Sequence, residues 1–123
     1  MPRVNGKPLE AEEQVKIFNW AAFMEGRRPE LKNLYAVPNG GRRDRIEAAH
    51  LKQQGVKAGV PDICLAYPSG VYHGLYIELK VGRNKPSENQ KEWIRNLRAA
   101  GYMAVVCYGF EQAIETIENY LKL

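Results

Sequence analysis

Cysteine is scarce in this 123-residue chain, where only Cys64 and Cys107 occur. Each lies in an apolar stretch, and neither has a partner at metal-ligand or redox-motif spacing, which predicts buried, reduced thiols. Long apolar runs are absent as well. No segment approaches the roughly 20 residues that cross a bilayer, and residues 1–11 lack the apolar stretch of a signal peptide. We therefore expect a cytoplasmic protein with no membrane partner.

Histidine is equally rare, and neither His50 nor His73 has a second ligand at metal-binding spacing. Both are expected to be structural or solvent-facing. The chain has no Gly-Lys-Ser/Thr sequence, which excludes a nucleotide-binding P-loop. Four aromatic residues fall on apolar faces and are predicted to belong to the core rather than to base-stacking platforms: Trp20, Trp93, Tyr102 and Tyr108.

The composition that is present is typical of a folded globule, with 45% hydrophobic and 26% charged residues. A chain of this length fits one domain, predicted over residues 1–123. The formal net charge of +4 favours a polyanionic partner. The basic residues form two clusters, one of Arg42, Arg43, Arg45, Lys52 and Lys57, the other of Lys80, Arg83 and Lys85.

Apolar periodicity and turn residues predict four helices and four strands. The helices are expected over residues 9–25, 42–54, 87–100 and 110–121, and the strands over residues 34–37, 62–67, 71–80 and 102–108. In the first helix the apolar positions that recur at helical spacing are Val15, Phe18, Trp20, Ala22 and Phe23. The order α-β-α-β-β-α-β-α predicts an α/β fold with a mixed sheet flanked by helices.

The second and third strands are predicted to form an antiparallel hairpin, because Pro68-Ser69-Gly70 between them fits a tight reversal. A pairing centred on Gly70 sets Asp62 directly across from Glu78. Strand alternation then points Lys80 to the same face as Glu78. A slip of one residue would separate the two carboxylates, so the inference depends on the register.

Two adjacent carboxylates repel unless a positive charge lies between them, and their oxygens suit a hard cation such as Mg²⁺. Such a cation favours phosphate oxygens and can orient a water for attack on a phosphodiester. Lys80 could then position or deprotonate that water, or stabilise the developing anion. The alternative is an ordinary surface hairpin with a cross-strand ion pair, since acid-x-Lys tripeptides occur often by chance.

The sequence Gly59-Val60-Pro61-Asp62, followed by Ile77-Glu78-Leu79-Lys80, resembles the Pro-Asp…Glu-x-Lys signature of the restriction-endonuclease-like superfamily. The longer stretches PNGGRR (38–43), LKQQGVKAGVPD (51–62), HGLYIELK (73–80) and SENQKEW (87–93) resemble the VRR-NUC domain of phage and bacterial proteins. The resemblance implies a restriction-endonuclease-like fold and a Mg²⁺-dependent nuclease that Mn²⁺ also supports. It also implies a phage or prophage protein that acts in a bacterial cell on branched or otherwise structured DNA, as Holliday-junction resolvases do.

The same resemblance implies roles for individual residues. Asp62, Glu78 and the backbone carbonyl of Leu79 would hold the metal, and Lys80 would be the catalytic lysine. The family has an acid followed by glutamine on the first helix. This acid best matches Glu13, with Glu10 and Glu12 as competitors and a solvated acidic helix face as the alternative for each.

Gln90 matches a glutamine that faces the site in the family and is therefore a candidate catalytic residue. Its alternative role is structural, because Ser87 and Gln90 have the spacing of a helix capping box. Nucleic acid would be contacted by Asn39, Gly40, Gly41, Arg42, Arg43 and Lys52, through backbone N–H groups and basic side chains. For residues 39–43 a plain strand-to-helix turn is the alternative.

One small domain covers little of a four-way junction, so symmetric cutting of two strands predicts a homodimer. Two other kinds of function stay open from the sequence. The first is a non-catalytic nucleic-acid-binding module that keeps the nuclease fold. The second is a small α/β interaction domain in which Asp62, Glu78 and Lys80 form an ion-pair cluster on the surface.

Overall fold

Four strands form a mixed sheet with helices on both faces in the computed structural model, which describes residues 9–38 and 45–123. The helices are α1 (Glu10–Met24), α2 (Arg45–Gln53), α3 (Glu88–Ala99) and α4 (Phe110–Leu121), and the strands are β1 (Leu34–Ala36), β2 (Ile63–Leu65), β3 (Leu75–Lys80) and β4 (Met103–Tyr108). A short 3-10 helix (Pro29–Asn33) precedes β1 and was not predicted. The predicted α/β fold and the order of its elements are confirmed.

The strands lie in the order β1-β2-β3-β4, with β1–β2 and β2–β3 antiparallel and β3–β4 parallel. The parallel pair needs a crossover, which α3 supplies between β3 and β4. The sheet is therefore a hairpin extended by one strand on each side. Both hairpin strands are shorter than the pattern predicted.

The hairpin has the predicted register, because Ile63 pairs with Ile77 and Leu65 with Leu75. One further step along the same ladder places Asp62 beside Glu78. The reversal itself is centred between Gly70 and Val71, where Ser69 and Tyr72 exchange two backbone hydrogen bonds. Three residues (66–68) on one side therefore face two (73–74) on the other, and this extra residue restores the predicted register.

One face of the sheet packs against α1 and α4. Its core includes Ile17 and Ala21 from α1, Ile117 from α4 and the β3 side chains Ile77 and Leu79. The predicted apolar face of α1 was wrong in part: Val15, Ala22 and Phe23 are exposed, Phe23 by 85%, whereas Phe18 and Trp20 pack against the core. The helix carries apolar residues around its circumference, so spacing alone does not select the buried stripe.

The opposite face of the sheet is covered by α3 over β3 and β4. Ile94, Leu97 and Ala104 form its core, with Tyr76, Trp93, Tyr102 and Val106 packed against them. Trp20, Trp93 and Tyr102 thus pack against the two cores, as predicted. Tyr108 does not, because it lies at the end of β4 with 41% of its surface exposed.

The remaining predictions on individual residues are mostly confirmed. Cys64 and Cys107 are buried and unpaired with each other, and His50 and His73 are exposed. No residue of α2 is buried, so this helix packs loosely on the domain. Within residues 9–38 and 45–123, no helix combines the length and apolar character needed to span a membrane.

Candidate active site

Asp62 lies immediately before β2 and is held from both sides. Its backbone carbonyl accepts a hydrogen bond from the N–H of Val37, at 2.7 Å. Its Oδ2 accepts the N–H of Leu79 in β3, at 2.8 Å. The preceding Pro61 is fully buried. These contacts fix the carboxylate of Asp62 against β3 at the level of Glu78.

Only 1% of the surface of Glu78 is exposed, and its side chain lies on the α3 side of the sheet. Its Oε1 atom has no hydrogen-bond partner among the described residues. Burial, and then the neighbouring Asp62 carboxyl group, raises the pKa of Glu78 from its ordinary 4.5 to about 8, while Lys80 opposes the shift. An unsatisfied buried carboxyl oxygen costs free energy in a folded protein, so a fold that retains one indicates a further partner.

Lys80 completes the group because strand alternation places it on the same face as Glu78. Its Nζ lies 3.7 Å from Oε2 of Glu78. The lysine is only 9% exposed, and its backbone carbonyl accepts the N–H of Gly109 at the end of β4. The burial of both residues contradicts the interpretation of this group as an ion-pair cluster on the surface.

The three candidate acids of α1 point to different places. Glu13 is buried, with Oε1 accepting the N–H of Phe110 at 3.1 Å and Oε2 lying 3.1 Å from Nζ of Lys16. Glu12 folds back to accept the N–H of Leu9 at the start of its own helix. Glu13 was the preferred match from the sequence. In the structure its Oε1 joins α1 to the start of α4 and its Oε2 pairs with Lys16 on the same helix, and a metal-binding role for it stays a prediction.

Glu10 is the acid of α1 that contributes to the raised pKa of Glu78, and its contribution is the smallest of the causes. Its Oε2 also lies 3.5 Å from Nδ2 of Asn84, in the segment that follows β3. The sequence could not separate the two acids, because apolar spacing does not show which stripe of α1 is buried. Glu13 shares the stripe of Ile17 and Ala21 at four-residue spacing, and those two residues are in the core.

Gln90 takes the structural role that the spacing allowed. Its Oε1 accepts the N–H of Ser87 at 2.8 Å, and its own N–H is donated to Oγ of Ser87 at 3.2 Å. This reciprocal capping box starts α3. A catalytic role for Gln90 stays a prediction.

The predicted nucleic-acid contacts divide into two groups. Asn39, Gly40, Gly41, Arg42 and Arg43 lie outside the described residues. Lys52 is exposed on α2 and lines a groove between α2 and α3, together with Lys57, Asn89 and Trp93. Asn89, Lys57 and Trp93 were not predicted as functional residues, because the groove forms only when α3 lies next to the segment that follows α2.

The chemistry of the site fits a hard divalent cation. Asp62, Glu78 and the Leu79 carbonyl supply oxygen donors, and Oε1 of Glu78 lacks a partner in the described chain. Two carboxyl groups also face one ammonium group, so once Glu78 ionises the group carries a net negative charge that a cation can neutralise. In the same described ranges, no three His, Cys, Asp or Glu side chains form a ready-made metal cluster, so a cation would rely on backbone and solvent oxygens as well.

The mixed sheet and the Asp62–Glu78–Lys80 group define a domain of the restriction-endonuclease-like kind. The family model of the VRR-NUC domain matches residues 6–111. A solved structure described as a VRR_NUC domain protein is 38% identical, with a TM-score of 0.81, and the match covers 95% of this chain and 92% of that one. A comparison with curated proteins finds no match. The chain belongs to the VRR-NUC domain family, a family of nuclease domains that act on nucleic acid.

Proposed function

We propose that this chain is a metal-dependent DNA endonuclease that hydrolyses phosphodiester bonds. The observation that supports it most strongly is the buried carboxyl group of Glu78, which lies beside Asp62 and Lys80 with one oxygen that has no partner among the described residues. A purely structural carboxylate at this depth would be expected to have both oxygens hydrogen-bonded. This unpaired oxygen supports the proposal that the site binds a cation.

The proposed ligands are Asp62, Glu78 and the Leu79 carbonyl, with Glu10 replacing Glu13 as the contribution of α1. These oxygens would hold Mg²⁺ or Mn²⁺, which would supply positive charge for the phosphate oxygens and a site for the attacking water. Burial and the neighbouring Asp62 raise the pKa of Glu78 to about 8, so a bound cation would favour loss of its proton to solvent. Asp62 stays oriented throughout by the N–H of Leu79.

Lys80 is the proposed catalytic lysine. Water attacks phosphorus, a new P–O bond forms and the P–O bond to the leaving strand breaks, while negative charge grows on the phosphate oxygens. The proton of the attacking water passes to solvent, and the leaving oxygen takes a proton from solvent. An ammonium group next to Glu78 is suited to stabilise that charge and to position the water. The role of general base is a less direct fit, since a charged amine has no free electron pair to accept a proton.

We propose branched or otherwise structured DNA as the substrate and a homodimer as the active form. A net charge of +4 and the exposed Lys52 suit a phosphate backbone. Val15 and Phe23 leave apolar surface exposed on α1, and a two-fold contact between copies would cover it. Sedimentation with and without four-way DNA tests the dimer, and a monomer in both conditions would exclude it.

A second candidate is a nucleic-acid-binding module without catalysis. It is favoured by the absence, within the described residues, of three metal-binding side chains at one point. A chain that binds DNA tightly but leaves every strand intact in Mg²⁺ and in Mn²⁺ would be such a module.

The deciding experiment is a cleavage panel over linear, flapped and four-way DNA, in Mg²⁺, in Mn²⁺ and in chelator. We expect cleavage in both metals and none in chelator. Lys80→Ala should lose cleavage but keep its fold and its DNA binding. Lys32→Ala, which removes an exposed lysine from the short 3-10 helix, is the matched control and should cut normally. Unchanged cleavage by Lys80→Ala would contradict the proposal.

A further inference from the structure

A groove of about 530 Å³ lies between the end of α2 and the first half of α3. None of the described residues that line it is acidic. Two lysines, Lys52 and Lys57, are exposed at the groove, and an indole ring forms part of its wall. The larger side chains that line the groove are Leu51, Lys52, Val56, Lys57, Asn89 and Trp93.

The walls of the groove suit a flat ring attached to a negative chain. Trp93 packs against the Ile94–Leu97–Ala104 cluster, so its ring is held in place while it also contributes to the groove. Such a ring can stack on a nucleobase, and the Asn89 amide can donate to and accept from a base edge. Lys52 and Lys57 complement the phosphates on either side of that base.

The groove is also close to the proposed cleavage site. Gly59 packs so tightly on Asn89 that an added Cβ would lie 2.9 Å from the Cβ of Asn89. Gly59 precedes Asp62 by three residues, which an extended chain spans in about 10 Å. An unpaired strand covers a distance of that order within a few nucleotides.

We propose that this groove binds an unpaired DNA base a few nucleotides from the phosphate that is cut, with the base stacked on Trp93 and its flanking phosphates on Lys52 and Lys57. The proposal rests on the nuclease function above and deepens it. In a continuous duplex every base is stacked and paired, so no base can enter the groove. Unpaired or splayed DNA can fill it, which gives a physical reason for a structure preference.

The first experiment measures whether Trp93 contacts single-stranded DNA. The Trp20→Phe background leaves Trp93 as the sole tryptophan. Oligothymidine and a blunt duplex are titrated in chelator, so that cleavage plays no part. We expect oligothymidine to quench the fluorescence of Trp93 and the blunt duplex to leave it nearly unchanged. Equal quenching by both would overturn the proposal.

The lysines supply a test that does not disturb the core. Lys52→Ala with Lys57→Ala should weaken oligothymidine binding by about 5–30-fold and reduce the slope of log affinity against log salt by about 1.4. Lys32→Ala with Lys122→Ala removes the same charge from exposed positions elsewhere and should keep the original slope. Equal losses in the two pairs would mean that the lysines act only through net charge, which would overturn the proposal.

Two substitutions at Trp93 test whether an aromatic ring at this position is needed for DNA binding. Trp93→Leu should weaken oligothymidine binding by about 5–100-fold, and Trp93→Phe should recover part of that loss because it keeps a ring. Circular dichroism checks the fold of both variants, and the lysine pair decides the question if Trp93→Leu unfolds. If the lysine pair instead lowers the sedimenting mass, the groove is a contact between copies of the chain and the proposal fails.

The two proposals can fail separately. Quenching by oligothymidine without any cleavage of branched DNA would remove the nuclease function and leave the base-binding groove. Cleavage that depends on Lys80, with no quenching of Trp93, would remove the groove and leave the nuclease.

Discussion

Two buried glutamates, each beside a lysine, serve different purposes in this domain. Glu13 is 5% exposed and Glu78 is 1% exposed, and the partner ammonium groups lie at 3.1 Å and 3.7 Å. The two oxygens of Glu13 are both engaged, one by the Phe110 N–H and one by Lys16. Glu78 instead faces another carboxyl group and has one oxygen with no partner in the described chain.

The two glutamates show that burial alone does not mark a functional acid. A carboxylate with complete partners contributes to stability, because its desolvation is offset by hydrogen bonds and charge. A carboxyl group that is buried next to another one is costly, and perturbed acids of this kind concentrate at functional sites. We therefore expect substitutions at Glu78 to affect activity most and substitutions at Glu13 to affect stability most.

The largest expected effect is on cleavage. Glu78→Gln keeps the size and polarity of the side chain but cannot supply a negative charge to a cation. We expect it to slow cleavage by about 10²–10⁴-fold. Glu13→Gln can still accept the Phe110 N–H and should cut within about threefold of the native rate. Single-turnover cleavage in Mg²⁺ measures both, and a slower Glu13 variant would reverse the assignment of the two acids.

The next effect concerns pH and stability in chelator. Because the pKa of Glu78 is raised to about 8 in the folded chain, from an ordinary 4.5, the folded state holds a proton that the unfolded state has released across that range. The free energy of unfolding should therefore fall as pH rises from about 4.5 to 8, by about 2–5 kcal/mol from this group.

Urea titrations of the native chain and of Glu78→Gln at several pH values measure that effect. The variant has no proton to lose at this position, so its stability should decline less over the same range. Parallel curves for the two proteins would show that Glu78 titrates normally and would weaken the contrast with Glu13.

A smaller effect distinguishes the acids of α1. Glu10→Gln should weaken the binding of Mn²⁺ by about 3–10-fold, because Glu10 contributes negative charge near Glu78 from a longer distance. Glu12→Gln changes an acid in the same first turn of α1, whose carboxyl group accepts the N–H of Leu9, and as the matched control it should bind Mn²⁺ as before. Calorimetric titration compares them, and equal affinities would remove Glu10 from the proposed ligand set.

The hairpin register could be predicted from the sequence because Pro68-Ser69-Gly70 marks the reversal, and a pairing centred on Gly70 sets Asp62 across from Glu78. Burial adds little in β2, where all three residues of the strand are buried. The exact position of the turn could not be predicted from the sequence. The reversal lies half a residue beyond Gly70, and the extra residue between β2 and the turn compensates for it.

The orientation of α1 could not be predicted, and the choice between Glu10 and Glu13 depended on it. Apolar residues occur on every side of the helix, so only the contacts with α4 and the sheet show which stripe is buried. Gln90 illustrates a related ambiguity, since a capping glutamine and a glutamine near a site have the same spacing from Ser87. The groove at Trp93 was missed because it joins segments that are far apart in the sequence.

The smallest effect tests the structural half of the comparison. Helix α4 starts after Gly109, which has no side chain to cap it, and Glu13 from α1 accepts the N–H of Phe110 instead. Glu13→Ala leaves that donor without its partner and removes the ion pair with Lys16, so it should lower the free energy of unfolding by about 1–2 kcal/mol. The melting temperature should fall by about 4–8 °C.

Glu115→Ala removes an exposed glutamate from α4 and is the control for lost negative charge, with an expected change within about 0.5 kcal/mol. Glu13→Gln should recover most of the lost stability, because its amide oxygen can accept the same N–H. The two buried acids then respond in opposite directions, since at pH 8 in chelator Glu78→Gln should stabilise the fold. A Glu13→Ala variant as stable as the native chain would mean that the Phe110 N–H finds another acceptor and that Glu13 is free for a different role.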